Sequence, residues 1–248
     1  MNYSHSMLSL FQNCKLAFKF RYIDKVRVDV PTTIEMFMGN MVHNALAKLY
    51  NEKLAKKDLT KEELTNYYVY MWDKSYNDKI QITKKDLTTN DYKNLGVNYL
   101  ETYYDTYFPF EENILGVETN QYLKLGTNTY SIRIDKLTSN GDTCYVCDYK
   151  TNSKMMTQED ADADRQLAMY ALWVKQRYPG FKTVLLWNML KFNKEVTSKR
   201  TYEELKKTRK ETINLINEIN DCNEFPANVS KLCDYCVYKG ICPEFKQK

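Results

Sequence analysis

Residues 130–150 read YSIRIDKLTSNGDTCYVCDYK, and this stretch decides the fold. Tyr130, Ile132 and Ile134 alternate with polar neighbours, and Tyr145 and Cys147 do the same further on; period-two alternation marks a half-buried strand. Between the two runs, Ser139-Asn140-Gly141-Asp142 contains Asn-Gly, the strongest short hairpin signal. The stretch therefore predicts an antiparallel hairpin. With Val117 and Thr119 upstream, two or three antiparallel strands are expected over residues 115–150.

Helical spacing surrounds the hairpin on both sides. Residues 4–23 place Met7, Leu10, Phe11, Cys14 and Phe18 at helical intervals, which predicts a short helix with Cys14 on its buried side. Pro31-Thr32-Thr33 is expected to start another, with a Thr cap and Glu35 in the first turn; Met36, Gly39, Val42, His43, Leu46 and Leu49 follow along it. Residues 60–107 predict two or three more helices rich in Tyr, Asn and Lys. Beyond the hairpin, residues 160–178 put Leu167, Tyr170, Ala171 and Val174 on one helical face. Residues 183–190 read as a buried strand, and 201–220 as an amphipathic helix through Leu205, Ile213, Ile216 and Ile219. The order predicts a single mixed α/β domain over residues 1–248 with an α-helical insertion.

Composition sets outer bounds. In 248 residues a hydrophobic fraction of 43% can fill one sizeable core. A net charge of +4 permits a polyanionic partner without demanding one. The start lacks a continuous apolar core and a small-residue cleavage site, and the longest apolar run is too short to span a bilayer. An odd number of cysteines, seven, argues for a reducing compartment. A cytoplasmic protein without membrane attachment is expected. No Gly-x₄-Gly-Lys-Ser/Thr phosphate loop occurs, so the chain is not itself an ATP-driven helicase, and processive unwinding would need a partner.

Five groups of residues carry candidate chemistry. Cys233-x₂-Cys236-x₅-Cys242, followed directly by Pro243, lies near one end and Cys14 near the other. Four thiolates satisfy either a tetrahedral zinc ion or an iron–sulfur cluster, and either would tie the two ends together. Cys144, Cys147 and Cys222 lack such spacing; Cys144 and Cys147 read as sheet residues. On the hairpin, Asp148 and Lys150 are two apart and project from the same face, and Asp135 can reach the same spot from across. Two carboxylates can hold Mg²⁺ or Mn²⁺, which would neutralise phosphate charge and lower the pKa of a bound water. Lys150 beside them can position that water and stabilise a pentacovalent transition state. The same three residues also fit exposed charges at strand ends. His43 lies one turn after Gly39, so an imidazole sits beside a point of close backbone approach; a satisfied helix histidine fits equally. Gln166 and Tyr170, also one turn apart, can contact a phosphate or support Lys150. Finally, Lys53, Lys56, Lys57, Lys61 and Lys74 lie among Tyr67, Tyr68, Tyr70 and Tyr76. They could track phosphates and stack bases, or form a solvated face over core tyrosines.

Taken in order, Gly39-x₃-His43, Ile134-Asp135, Asp148-x-Lys150 and Gln166-x₃-Tyr170 resemble the RecB-like branch of the PD-(D/E)XK nuclease superfamily. The cysteine layout resembles its iron–sulfur members, among them AddB-type nuclease domains and the CRISPR-associated RecB-like nucleases of spacer acquisition. The resemblance runs from Cys14 to Cys242. It implies an α/β, restriction-endonuclease-like core: a mixed central sheet flanked by helices, with an N-terminal helical insertion and a cysteine-ligated cluster joining the termini. The nuclease core would be residues 109–200 and the helical region 31–108, with 1–30 and 201–248 supplying the cluster ligands. It implies a metal-dependent DNA nuclease, a hydrolase acting as an exonuclease on single-stranded DNA or DNA ends in repair or recombination. The alternatives are a spacer-acquisition nuclease within an integrase complex and a non-catalytic DNA-binding module; a helicase or integrase partner is implied with them. In these roles His43, Asp135, Asp148 and the Tyr149 carbonyl would bind Mg²⁺ or Mn²⁺, and Lys150 would be the catalytic lysine. Gln166 and Tyr170 would serve activity or DNA contact, and Glu118 falls where many members carry an acidic residue. Cys14, Cys233, Cys236 and Cys242 would ligate a [4Fe–4S] cluster, and Cys242-Pro243 resembles ferredoxin-type ligation. Many relatives carry Gly three residues before the first Asp; here that residue is Ile132, a departure that removes no ligand.

Overall fold

The computed structural model describes residues 2–28, 32–82, 86–110 and 112–245. In chain order its regular elements are β1 (Asn2–Ser4), α1 (His5–Asn13), α2 (Lys15–Phe18), α3 (Ile34–Leu54), α4 (Lys61–Ser75), α5 (Thr89–Tyr107), β2 (Asn113–Leu125), β3 (Asn128–Asn140), β4 (Thr143–Lys150), α6 (Gln158–Ala163), α7 (Arg165–Arg177), β5 (Lys182–Met189), β6 (Lys194–Ser198) and α8 (Tyr202–Asp221). They fall into two compact units. One comprises Met1–Val30, Tyr122–Ile132 and Lys206–Lys248; the other comprises Pro31–Gln121 and Arg133–Leu205.

In the larger unit, α3 begins on the expected cap: the Thr33 hydroxyl accepts from the Met36 amide at 3.3 Å, with Glu35 in the first turn. Pro31 lies outside the described residues. Phe37, Met38, Val42, Ala45, Leu46 and Leu49 form the buried side of α3, whereas Met36 faces solvent. α4 and α5 open on capping boxes, Thr60 with Glu63 and Thr88 with Asp91. A single apolar cluster joins these helices to the sheet, including Phe37, Tyr68, Trp72, Tyr103, Tyr149 and Leu186. The tyrosine-rich composition is thus partly core: Tyr50, Tyr68, Tyr92, Tyr99 and Tyr103 are all buried.

The hairpin forms as expected. β3 and β4 pair antiparallel from Lys136 opposite Cys147 to Asn140 opposite Thr143. The two loop residues are Gly141 and Asp142, one step on from the Asn-Gly pair, and Gly141 takes the left-handed conformation at φ +55°. β4 runs parallel to β5, which requires a crossover, supplied by α6 and α7. β5 pairs antiparallel with the short β6, and β2 pairs with β3. The sheet is therefore mixed. The face of α7 predicted from its spacing, Leu167, Tyr170, Ala171 and Val174, is buried.

The smaller unit corrects the reading of residues 4–23 as one helix. Cys14 is extended, at φ −160° and ψ 111°; it ends α1 and caps α2, its sulfur accepting from the Ala17 amide at 3.5 Å. Periodic apolar spacing survives such a one-residue break, which is why the sequence hid it. Phe11, Phe18, Tyr130, Ile216 and Ile219 lie in this unit's apolar interior. Here the first helices meet the cysteine-bearing tail directly. The Leu16 amide donates to the Pro226 carbonyl at 3.2 Å, Asn228 Nδ2 donates to the Asn13 carbonyl at 3.0 Å, and Phe18 stacks on Phe225.

Candidate active site

The site lies in the larger unit, where the paired stretch of β3 and β4 ends. Asp135 sits one residue beyond that ladder, and its Oδ2 accepts the Tyr149 backbone N–H at 2.8 Å, which fixes the carboxylate against the neighbouring strand. α3 delivers His43 to the same point. Its Nε2 is 3.1 Å from the Tyr149 carbonyl oxygen, and its Nδ1 is 3.5 Å from Asp135 Oδ2 and 3.7 Å from Glu118 Oε1. Gly39, one turn earlier, permits this approach: a Cβ there would lie 3.0 Å from Thr151 Oγ1. Glu118 reaches the cluster from β2 in a left-handed conformation, φ +48°, which costs a residue with a Cβ about 1 kcal/mol or more. Among the described residues, His43, Glu118 and Asp135 are the one set of three His, Cys, Asp or Glu side chains whose ligand atoms lie within 4.8 Å of one another.

Asp148 and Lys150 project to one side of β4, as the alternation predicts, and Lys150 Nζ is 2.5 Å from Asp148 Oδ2. Burial pushes the Asp148 carboxyl up, with Lys150 opposing and Asp135 reinforcing the shift. Burial also works against the Lys150 ammonium, but Asp148 outweighs it and holds the lysine protonated. His43 follows the same balance: burial disfavours its charge, yet hydrogen bonds to Asp135 and Glu118 prevail and push its pKa up to about 10. The site is thus a buried set of negative groups that draws positive charge to itself. Asp148 lies outside the close trio yet is electrostatically coupled to Asp135 and His43. Gln166 and Tyr170 buttress it from α7. Gln166 Nε2 donates to the Tyr170 hydroxyl at 2.7 Å; that hydroxyl donates to the Arg133 carbonyl at 2.7 Å and lies 3.3 Å from Asp148 Oδ1.

Two neighbours escaped the sequence reading. Arg133 Nε donates to Glu118 Oε2 at 2.7 Å while its side chain stays 65% exposed at the mouth of the site. Strand alternation places it on the face of Asp135, so the signal was present. Trp187, opposite Asp148 on β5, lies under the Lys150 ammonium at 5.6 Å. Behind the site, Lys136 is almost fully buried. Its ammonium donates to both Glu112 carboxylate oxygens at 2.8 and 2.9 Å and to the Tyr50 and Tyr103 hydroxyls at 3.1 and 3.3 Å. The Tyr103 hydroxyl is in turn 3.2 Å from that of Tyr149. The helical lysine–tyrosine region divides: Tyr68 is core, Lys53 and Lys61 pair with Asp58 and Asp105, and Tyr70 remains exposed.

The cysteines lie in the smaller unit. Cys14, Cys233, Cys236 and Cys242 line one cavity of about 300 Å³, with Phe20 and Tyr238 among its walls. Burial pushes the Cys236 thiol up, and the other three thiols add to the shift. Cys144 and Cys147 are buried on β4, as expected of sheet residues.

Carboxylates and an imidazole converge beside a held ammonium on a mixed sheet flanked by helices, a set that can hold a divalent cation. The family profile of the PD-(D/E)XK nuclease superfamily matches residues 2–243. The chain belongs to that superfamily and is a metal-dependent nuclease whose substrate is DNA. No curated protein matches it. Among solved structures, a candidate exonuclease from Eubacterium rectale aligns over 95% of this chain and 86% of its own, at 12% identity and a TM-score of 0.54, a likeness of fold alone. SSO0001 aligns over 92% and 94% at 14% identity, with a TM-score of 0.36 that bears no argument. Among the described residues no helix is long and apolar enough to cross a membrane.

Proposed function

We propose that this nuclease is a Mg²⁺- or Mn²⁺-dependent exonuclease acting on single-stranded DNA or DNA ends. The observation that carries the reading is the convergence of His43, Glu118 and Asp135 within ligand distance of one another, beside the Asp148–Lys150 pair. A divalent cation bound there would neutralise phosphate charge and lower the pKa of its water. His43, Asp135, Asp148 and the Tyr149 carbonyl are its proposed ligands, with Glu118 as a further carboxylate. Lys150, kept charged by Asp148, faces the negative charge that builds on the phosphorane oxygens. Tyr170 and Gln166 hold Asp148 in place, and the exposed Arg133 guanidinium is anchored by Glu118 where a phosphate would arrive. The test is Mn²⁺-dependent degradation of linear and of covalently closed single-stranded DNA. Linear DNA should be degraded and circles spared. Equal cutting of circles refutes the exonuclease form, and no cleavage with either metal refutes the enzyme.

We further propose that Cys14, Cys233, Cys236 and Cys242 hold a structural [4Fe–4S] cluster. Their gathering around one cavity supports a shared ligand. Anaerobically purified protein should absorb in the visible blue and carry iron and sulfide, and Cys233→Ser should lose colour and solubility. Full iron and stability in that variant would sink the assignment. Lacking a phosphate loop, the chain would rely on a separate motor for unwinding. A helicase partner, or an integrase partner in spacer acquisition, belongs to this proposal, as does a cytoplasmic setting.

A further inference from the structure

At the end of β4 away from Lys150, a second cavity of about 450 Å³ opens in the larger unit. Four of its lining residues are cationic, Lys175, Lys182, Lys199 and Arg200, and none is acidic. Their commitments differ. The Arg200 side chain is buried, donates to the Ala161 and Lys199 carbonyls at 2.6 and 3.2 Å and pairs with Asp162 at 3.6 Å, so it is committed within the protein. Lys182 meets Asp142 at 2.9 Å, but both side chains are mostly exposed and such a pair holds weakly. The Lys175 ammonium lies 5.7 Å from the Tyr202 ring centroid. Lys199 has no ion-pair partner among the described residues. The Thr183 hydroxyl, also lining the cavity, is buried without a hydrogen-bond partner. Phe181 also lines the cavity.

The Lys175 and Lys199 ammoniums, the loosely held Lys182, an unpaired hydroxyl and the Phe181 ring make a site for a phosphate ester carrying a base. The position adds direction. Thr143, in the wall of this cavity, and Lys150, in the active site, are seven residues apart on β4, about 23 Å at strand rise. α7 serves both ends: Gln166 and Tyr170 stand at the active site and Lys175 at the cavity. We infer that the cavity binds a backbone phosphate of the nucleic-acid strand whose end is being cut, about seven nucleotides at helical rise from the scissile bond. The inference rests on the nuclease reading and supplies it with a reason to prefer long substrates.

The test measures fluorescence anisotropy without divalent metal, using a labelled trinucleotide and a labelled 16-mer, both single-stranded. Wild type is compared with Lys175→Glu/Lys199→Glu, whose substituted side chains are exposed. Wild type should bind the 16-mer about tenfold more tightly than the trinucleotide at low salt. The variant should lose most of that advantage, and its slope of log K against log salt should shrink by about 0.7, the value for one single-strand phosphate. Unchanged 16-mer affinity and slope overturn the inference. So does calorimetric binding of inorganic phosphate to wild type alone when the 16-mer does not discriminate, because the cavity then serves a free anion. Failure of wild type to cleave any DNA with Mn²⁺ is a separate result, and it counts against the nuclease reading.

Discussion

Replacing Lys150 by Met removes the ammonium and keeps a stem able to pack near Trp187. In the structure that ammonium is 2.5 Å from Asp148 Oδ2, with side-chain exposures of 21% and 8%. At an effective dielectric of about 20 the gross attraction is about 7 kcal/mol. Most of this offsets the desolvation of two buried charges, so the pair itself adds little net stability. Stranding a buried carboxylate costs about 3–5 kcal/mol in general. Asp148 escapes part of that cost, because burial already pushes its pKa up and it can take a proton once Lys150 is gone. A loss of about 2 kcal/mol is expected, or about 4–8 °C in Tm for a chain of this size. The catalytic effect should be much larger. Losing one fixed donor aimed at developing negative charge costs about 10²–10³ in kcat. Single-turnover cleavage of end-labelled DNA with saturating Mn²⁺ reads the rate, and circular dichroism melting reads the fold. A folded Lys150→Met protein cleaving within threefold of wild type would refute the role given to this lysine.

Three further outcomes follow from the packing. Lys136 is nearly buried while Glu112 keeps about a third of its side chain in water, so the two halves of that pair are not equivalent. Glu112→Gln strands a buried ammonium and should cost about 3 kcal/mol or more, whereas Lys136→Met leaves a carboxylate that can hydrate and should cost less; denaturant melts decide the order. Gly96→Ala would set a Cβ 2.0 Å from the hydroxyl of the buried Tyr68, and a loss of about 2–3 kcal/mol in the same melts is expected. Hydrogen bonds from Thr60 hold Glu63 below its ordinary pKa, and those from Thr88 do the same for Asp91. A carboxylate lowered on folding stabilises above its unfolded pKa, and that gain is lost as pH falls through the folded value. α4 and α5 should therefore fray from their N-termini below about pH 4, seen as falling helical dichroism, and Glu63→Gln/Asp91→Asn should remove that acid step.

Much of this was legible in the chain, for identifiable reasons. The hairpin could be read because Tyr130, Ile132 and Ile134 face one way and Gly141 supplies the positive φ its loop requires. Asp148 and Lys150 could be placed together because strand alternation leaves no other choice. β1 and β6, three and five residues long, are too short to show a period. The strained backbone of Glu118 has no local signature, and only the structure explains why an acid from β2 reaches His43. Lys136 reads as a surface charge until Glu112, distant in sequence, is seen to satisfy it. Arg133 was available from the same alternation that placed Asp135, and its pairing with Glu118 gives it a role.

On the reading proposed above, His43, Asp135, Asp148 and the Tyr149 carbonyl bind one divalent cation beside Lys150. Anomalous diffraction from crystals soaked in Mn²⁺ tests it directly. One strong peak should lie within coordination distance of Asp135 and Asp148 and be lost in Asp135→Asn. A peak elsewhere with this site empty, or a peak that survives the substitution unchanged, would contradict it.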